Sequence, residues 1–274
     1  MNLTAANGIR EDAALTGAAR RGWLVRSARW IYRRAPILIT MIPLLALWEI
    51  LGRMHLFLVL PPLSDVLVAM WDIVTSGRLG DAVPDTLLAI AIGLAISLIA
   101  GIACGIALGM SPLLEEVFGP YVDVMMSSPV SAIVPALVLV FGTGRESIVV
   151  TVVLFTFFLI VVNTQAGVKQ LDPALREMAL SFQCSGWVML RRVIIPGALP
   201  LILAGARMGV GRSFNGAVFG EMLISIVGLG GLLMTFGSRF MFDRLDALII
   251  LIVGTAVLIV WIFELVERRL LRNR

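Results

Sequence analysis

Residues Leu87 to Met110 read LLAIAIGLAISLIAGIACGIALGM, twenty-four residues without a charge. A helix that crosses the roughly 30 Å hydrocarbon core of a bilayer needs about 20 predominantly apolar residues. This stretch meets that requirement by itself. Within it Gly93, Ser97, Gly101, Gly105 and Gly109 recur every four residues. At about 3.6 residues per turn they form one slowly drifting stripe. Small residues let helix backbones approach closely, which is how helices associate in lipid. Such a stripe serves either packing within the chain or association of subunits; Gly205 and Gly209 make a shorter version of it.

The surrounding chain repeats the apolar theme. Of 274 residues, 59% are hydrophobic and 15% charged, and the mean hydropathy is +0.98. Soluble domains are roughly 45–50% apolar and about 25% charged. A water-soluble fold of this composition would expose large apolar patches and aggregate. Further apolar runs lie at Ile37–Leu51, Val122–Phe141 (with Pro129 and Pro135 inside), Ile148–Val162, Ile194–Ile226 and Leu245–Val266. The expectation is an all-α integral membrane protein with about six transmembrane helices. The segment Leu60-Pro61-Pro62-Leu63-Ser64-Asp65 precedes a short amphipathic helix through Trp71 and Ile73, with Ser64 or Asp65 as its cap. That helix is too short and polar to span. Val227–Arg244 reads as a loop.

Charge fixes the orientation. The chain carries 22 basic residues, Lys169 being the only lysine, against 18 acidic ones. With six spans and both termini cytoplasmic, fifteen basic residues face inward: seven in the N-terminal tail, four over 169–192 and four at the C-terminus. Five face outward: Arg53, Arg78, Arg145, Arg239 and Arg244. That asymmetry obeys the positive-inside rule. The arginines are spread between apolar spans without interleaved aromatics, which argues against nucleic-acid binding. The basic start is too long for a signal peptide and lacks a small-residue cleavage site. Cys104 and Cys184 do not make a disulfide framework, and a single His55 makes a His-based metal site unexpected. Neither cofactor nor metal is expected. The domain plan is a tail over 1–36, a first transmembrane helix and outer turn over 37–59, an extracytoplasmic amphipathic segment over 60–85, a membrane core over 86–268 and a cytoplasmic tail over 269–274.

The interval Leu171–Pro200, LDPALREMALSFQCSGWVMLRRVIIPGALP, stands apart. Asp172 suits an N-cap and Pro173 the first helical position. Leu175, Met178, Ala179 and Phe182 share one helical face, with Arg176 and Gln183 largely off it. Ser185-Gly186 ends the pattern. A short amphipathic helix on the cytoplasmic side is expected, either lying on the lipid or docking in a partner's groove.

Glu177, Ala179, Val193, Ile195 and Pro196 fall at the spacing of the EAA loop, which this run resembles, in bacterial ABC-importer permeases. The chain departs from that motif at Met178, where the motif has Ala, and at Gln183, where it has Gly. Gln183 in place of Gly predicts a helix continuing one residue further. Leu60-Pro61 through Asp65-Val66, Asp85-Thr86-Leu87, Asn163-Thr164 with Gly167-Val168, Trp187 with Leu190-Arg191-Arg192, Glu221-Met222 and Gly228-Leu229-Gly230 are similar to permeases of the nitrate/sulfonate/taurine/bicarbonate type, over roughly Leu60 to Arg272. The resemblance implies an inner-membrane protein of the type I ABC-importer permease fold, paired with a second, identical permease. It further implies cytoplasmic ATPases docking on a coupling loop at 171–196 through Asp172, Pro173, Arg176, Glu177, Ala179, Gln183, Gly186 and Pro196, and an extracytoplasmic binding protein delivering a small anionic solute.

The chain supplies no ATPase of its own. A Walker A loop requires Gly-Lys-Ser/Thr, and Lys169 is flanked by Val168 and Gln170. No Ser-His-Asp or Cys-His arrangement is available either. Ionisable groups within spans are functional candidates by default. Arg207, Arg212, Asn215 and Glu221 fall in the fifth span. Arg207 and Glu221 are fourteen residues apart, about 21 Å along the axis, and cannot pair. Each lines a pathway for a small anion or is satisfied structurally by another helix. Glu49 and Glu264 sit near span ends, where they can snorkel. A self-sufficient secondary transporter or channel is the alternative, although internal repeats, which such carriers commonly show, are not evident.

Overall fold

The computed structural model describes residues 40–54, 59–224 and 228–272. The basic tail over 1–36 and the start of the first span therefore lie outside the described residues. Every regular element among the described residues is helical. They form two compact units, one up to Asp65 and one from Val66 onward.

In the first unit, helix α1 covers 40–53. The Leu60–Ser64 segment folds back on it. Trp48 Nε1 donates to the Pro61 carbonyl at 3.1 Å, and Gly52 leaves room for Pro62. Glu49 accepts from the Ser64 N–H at 3.0 Å and from Arg53 at 2.6 Å. Helix α2, Leu63–Thr75, thus takes its cap from the Glu49 carboxylate, not from Ser64 or Asp65. Glu49 is engaged rather than snorkelling, because a free N–H at a helix start is the nearest donor.

The second unit contains α3 (Leu79–Met110), α4 (Pro112–Ser127), α5 (Val134–Phe141), α6 (Arg145–Lys169), α7 (Pro173–Ser181), α8 (Gly186–Met189), α9 (Ile195–Ile224), α10 (Gly228–Ser238) and α11 (Phe242–Arg272). Among the described residues, four helices are long and apolar enough to cross a membrane: Ala82–Met110, Arg145–Lys169, Gly186–Ile224 and Phe242–Arg269. The expected third span is not one helix. Pro112–Ser127 and Val130–Phe141 meet at a bend of 83°. Pro129 has no N–H to continue α4, and its ring forces Ser128 into extended backbone (φ −76°, ψ 144°).

Helix α6 is the hub. The small-residue stripe of α3 lies against it: a Cβ on Gly93, Gly105 or Gly109 would come within 2.5–2.6 Å of Val152, Thr164 or Val168. Ser97 accepts a 2.6 Å hydrogen bond from Thr156 in the same seam. Gly205, Gly209, Gly216 and Gly220 bring α9 to the other side of α6, against Asn163, Ile160, Phe155 and Thr151. The stripe therefore packs within the chain. Arg145 binds Asp85 at 2.7 Å at the outer ends of α6 and α3. Lys169 pairs with Glu115 at the inner ends of α6 and α4.

Candidate functional site

The cytoplasmic loop folds into a braced helix. Asp172 caps α7 by accepting from the Ala174 N–H at 2.9 Å, a cap worth about 1 kcal/mol, and Pro173 opens the first turn. The apolar face divides. Ala179 is buried in a cluster with Val168, Met189, Ile194, Ala198 and Ile202. Leu175, Met178 and Phe182 stay exposed, Phe182 at 75%, as does Trp187. Glu177, Gly186 and Gln183 are exposed too, and the Arg176 side chain lies outside the described residues. The helix is thus fastened on one side and bare on the other.

Gln183 does not prolong α7. Its φ is +51°, and the Cys184 N–H reaches the Ala179 carbonyl at 3.1 Å. This is the left-handed C-terminal turn for which glycine is favoured. Ser185, accepting from the Val188 N–H, already starts α8, so the chain must turn here whichever residue is present. A non-glycine residue in this conformation costs about 1–2 kcal/mol, partly offset by glycine's extra freedom when unfolded. Gln183→Gly is expected to stabilise the permease by about 0.5–1 kcal/mol, read by thermal unfolding in detergent. A lower melting temperature would contradict the turn.

Between α8 and α9, Leu190–Ile194 forms a π-helical turn, with the Ile195 N–H donating to Leu190. Pro196 follows at the second position of α9. Its ring would clash with the carbonyl four residues back in a regular helix, and a wider turn relieves that clash. The combined span Gly186–Ile224 has 39 residues, about 58 Å long. It therefore extends well beyond a ~30 Å core, mechanically linking the α7 loop to the middle of the membrane.

At that middle lies a cavity of about 260 Å³ beside the α4–α5 break, lined by Met125, Ser128, Pro129, Ser131, Phe155 and Arg212 among others. Its α6 wall, Leu154–Leu159, is the tenth to fifteenth of 25 residues in that helix. Arg212 is twelve residues from the outer end of α9, about 18 Å. Arg212 is exposed in the chain and has no ion pair among the described residues. Met208, Asn215 and Phe219 are exposed on the same stripe of α9, and Asn215 lines the adjoining groove against Ile252 and Val257 of α11.

The other two span-five charges are satisfied within the chain. Arg207 lies 3.5 Å from Glu267 and 4.0 Å from Glu264 of α11, and Glu264 also holds Arg268 at 2.7 Å. Arg207 thus ties α9 to α11, and Glu264 is paired rather than merely snorkelling. Glu221 is fully buried. It accepts from the Thr86 hydroxyl of α3 at 2.7 Å and from the Gly230 N–H of α10 at 2.9 Å. Thr86 in turn accepts from the Leu229 N–H at 3.0 Å. Two free N–H groups at the start of α10 are satisfied by side chains of α3 and α9. Gly228 turns at φ +77°, and a Cβ there would collide with the Glu221 carboxylate. The expected loop at 227–244 is therefore largely helix. Its glycines, which masked it in the sequence, are where α10 meets α9. The Asp85-Thr86-Leu87 and Glu221-Met222 fragments were the available signals for this contact.

A broken span beside a midspan cation, joined to a braced cytoplasmic helix with a bare apolar face, defines a multi-span solute permease. The chain belongs to the binding-protein-dependent transport system inner membrane component family, whose model matches residues 93–272. It is 38% identical over 185 residues to the riboflavin transport system permease protein RibX of Chloroflexus aurantiacus, covering 68% of each chain. It is 31% identical over 232 residues to the putative aliphatic sulfonates transport permease protein SsuC of Escherichia coli, covering 84% of this chain and 87% of that one. The MetNI methionine ABC transporter, solved inward-facing, shares the fold with a TM-score of 0.59 at 16% identity, over 74% of this chain and 96% of that one. The protein is the transmembrane permease subunit of an ABC importer in the inner membrane, with the type I permease fold. A self-sufficient carrier or channel is set aside by this membership.

Proposed function

We propose that the permease forms half of a homodimeric pathway for a small solute carrying an anionic group, driven by separate ATPase subunits that dock on α7. The bare face of Leu175, Met178 and Phe182 on a helix braced through Asp172 and Ala179 carries this reading. A lever must be rigid where it joins the spans and uncovered where it is pushed. ATP binding by the docked subunits would move α7 and, through the continuous Gly186–Ile224 helix, the midspan wall. Glu177, Gln183, Gly186 and Pro196 belong to the same coupling loop, Arg176 being carried by the motif alone. An extracytoplasmic binding protein would deliver the solute to the outer face. The stripe of Met208, Arg212, Asn215 and Phe219, uncovered in one chain, would face the second copy and line the pathway. The sulfonate-type relative supports an anionic cargo.

Glu177 is exposed on α7, so Glu177→Lys should leave the spans folded. It is expected to lower ATPase co-purification at least tenfold and to abolish ATP-driven uptake. Coupled uptake at the wild-type rate, with normal membrane levels, would refute docking at α7.

A further inference from the structure

Of the five outer arginines, Arg53 and Arg145 are ion-paired within the chain, to Glu49 and Asp85. Arg78 and Arg244 have no ion pair among the described residues, although they converge. Arg78 ends the turn between α2 and α3, and Arg244 lies in the first turn of α11. Both line a cavity of about 250 Å³ together with Asp72, Ile73, Thr75 and Ser76. The hydroxyls of Thr75 and Ser76 donate to the chain's own carbonyls, at Trp71 and Ile73. Neither guanidinium has an acidic partner among the described residues. Positive charge on the outer side runs against the bias that orients the protein. Two guanidiniums around one hollow, without an ion pair among the described residues, therefore suit an acidic partner from outside the chain.

We propose that this hollow is a docking socket for a carboxylate side chain on the extracytoplasmic binding protein. Asp72 on its wall separates a protein partner from a free anion. It weakens the hold of the two arginines on a bare anion, whereas a protein surface can place an acid against the arginines and a donor against Asp72. Helix α2 adds an adjoining anchor. Val66, Ala69 and Ile73 are buried, while Trp71, next to Asp72, is 70% exposed. Arginine and tryptophan are enriched among the residues that dominate protein–protein binding energy. Rim charges of this kind also steer encounter, with an effect that fades as salt rises.

The socket rests on the importer reading, and the test separates the two. The permease–ATPase complex is reconstituted in nanodiscs, and the binding protein of the same transport system is titrated against its ATPase rate. Arg78→Glu with Arg244→Glu is expected to raise the half-saturating binding-protein concentration at least tenfold, leaving the basal rate and the ATPase content unchanged. Arg78→Lys with Arg244→Lys should keep most of the response, and 0.5 M salt should weaken the wild-type complex but hardly affect the Glu variant. A normal wild-type response with unchanged half-saturation in the Glu variant would overturn the socket alone. So would a shift seen only when the nanodiscs contain phosphatidylglycerol, which would assign the hollow to lipid headgroups. A wild-type complex indifferent to the binding protein would overturn the importer reading and the socket with it.

Discussion

Replacing Glu221 with Ala is expected to destabilise the permease by about 3 kcal/mol and to free α10 from α3. The Gly230 N–H would lose its acceptor in a buried site, at about 1–3 kcal/mol. The space left by a fully buried side chain adds a cavity cost. Thr86 softens the loss, because its hydroxyl can turn wholly to the Ala82 carbonyl, 3.1 Å away. Glu221→Gln should be milder. Its oxygen can accept from Gly230 while its amide donates to Thr86, at the expense of the Leu229 N–H that now shares that oxygen. Gly228→Ala should resemble Glu221→Ala, since it strains a positive-φ turn and pushes on the carboxylate. The order Ala above Gln in damage is checked by thermal unfolding of the purified protein. Trypsin cleavage after the exposed Arg239, just beyond α10, should quicken in the same order. A Glu221→Ala protein as stable and protease-resistant as wild type would refute the latch.

The same residues show where sequence reading succeeds and where it stops. Leu87–Met110 announces a span through composition alone, and the four-residue spacing of its small residues announces a close-packed face. Which helix fills that face is a long-range fact: Val152, Thr164 and Val168 carry no local mark of it. Asp172 and Pro173 declare the start of α7 because capping is local chemistry. The end of α7 differs from the expected extra helical residue, because Gln183 is held left-handed by the onset of α8 and not by its own preference. The Val122–Phe141 run is apolar throughout, so Pro129 was legible only as a proline inside a span. That the chain turns by 83° there depends on what α5 packs against. Arg207, Arg212 and Glu221 look alike in the sequence as charges in lipid. Only the positions of Glu264, Glu267 and Thr86 on other helices divide them into two satisfied groups and one uncovered cation.

That uncovered cation yields the largest functional effect. Under the anionic-cargo reading, Arg212→Ala is expected to cut uptake of an aliphatic sulfonate by roughly 10- to 100-fold, the value of one hydrogen-bonded contact to a charged group, about 1.5–3 kcal/mol. Membrane levels should be normal, because Arg212 holds no ion-pair partner among the described residues that its loss would orphan. Arg212→Lys should retain an intermediate rate, since it keeps the charge but loses the planar fork that engages an oxyanion through two donors. The cavity of about 260 Å³ pairs Arg212, Ser128 and Ser131 with Met125, Phe155 and Phe158. That lining matches a solute with a charged head and an apolar body. The measurement is uptake of labelled sulfonate and labelled riboflavin into cells carrying the whole importer. Loss of sulfonate uptake alone would place the anion at Arg212. An importer that moves riboflavin and is indifferent to Arg212→Ala would refute both the anionic cargo and the midspan role of this arginine. A cation in the middle of a membrane, held by no carboxylate among the described residues, is costly to keep. A charge that enters with each transported solute would offset that cost during transport.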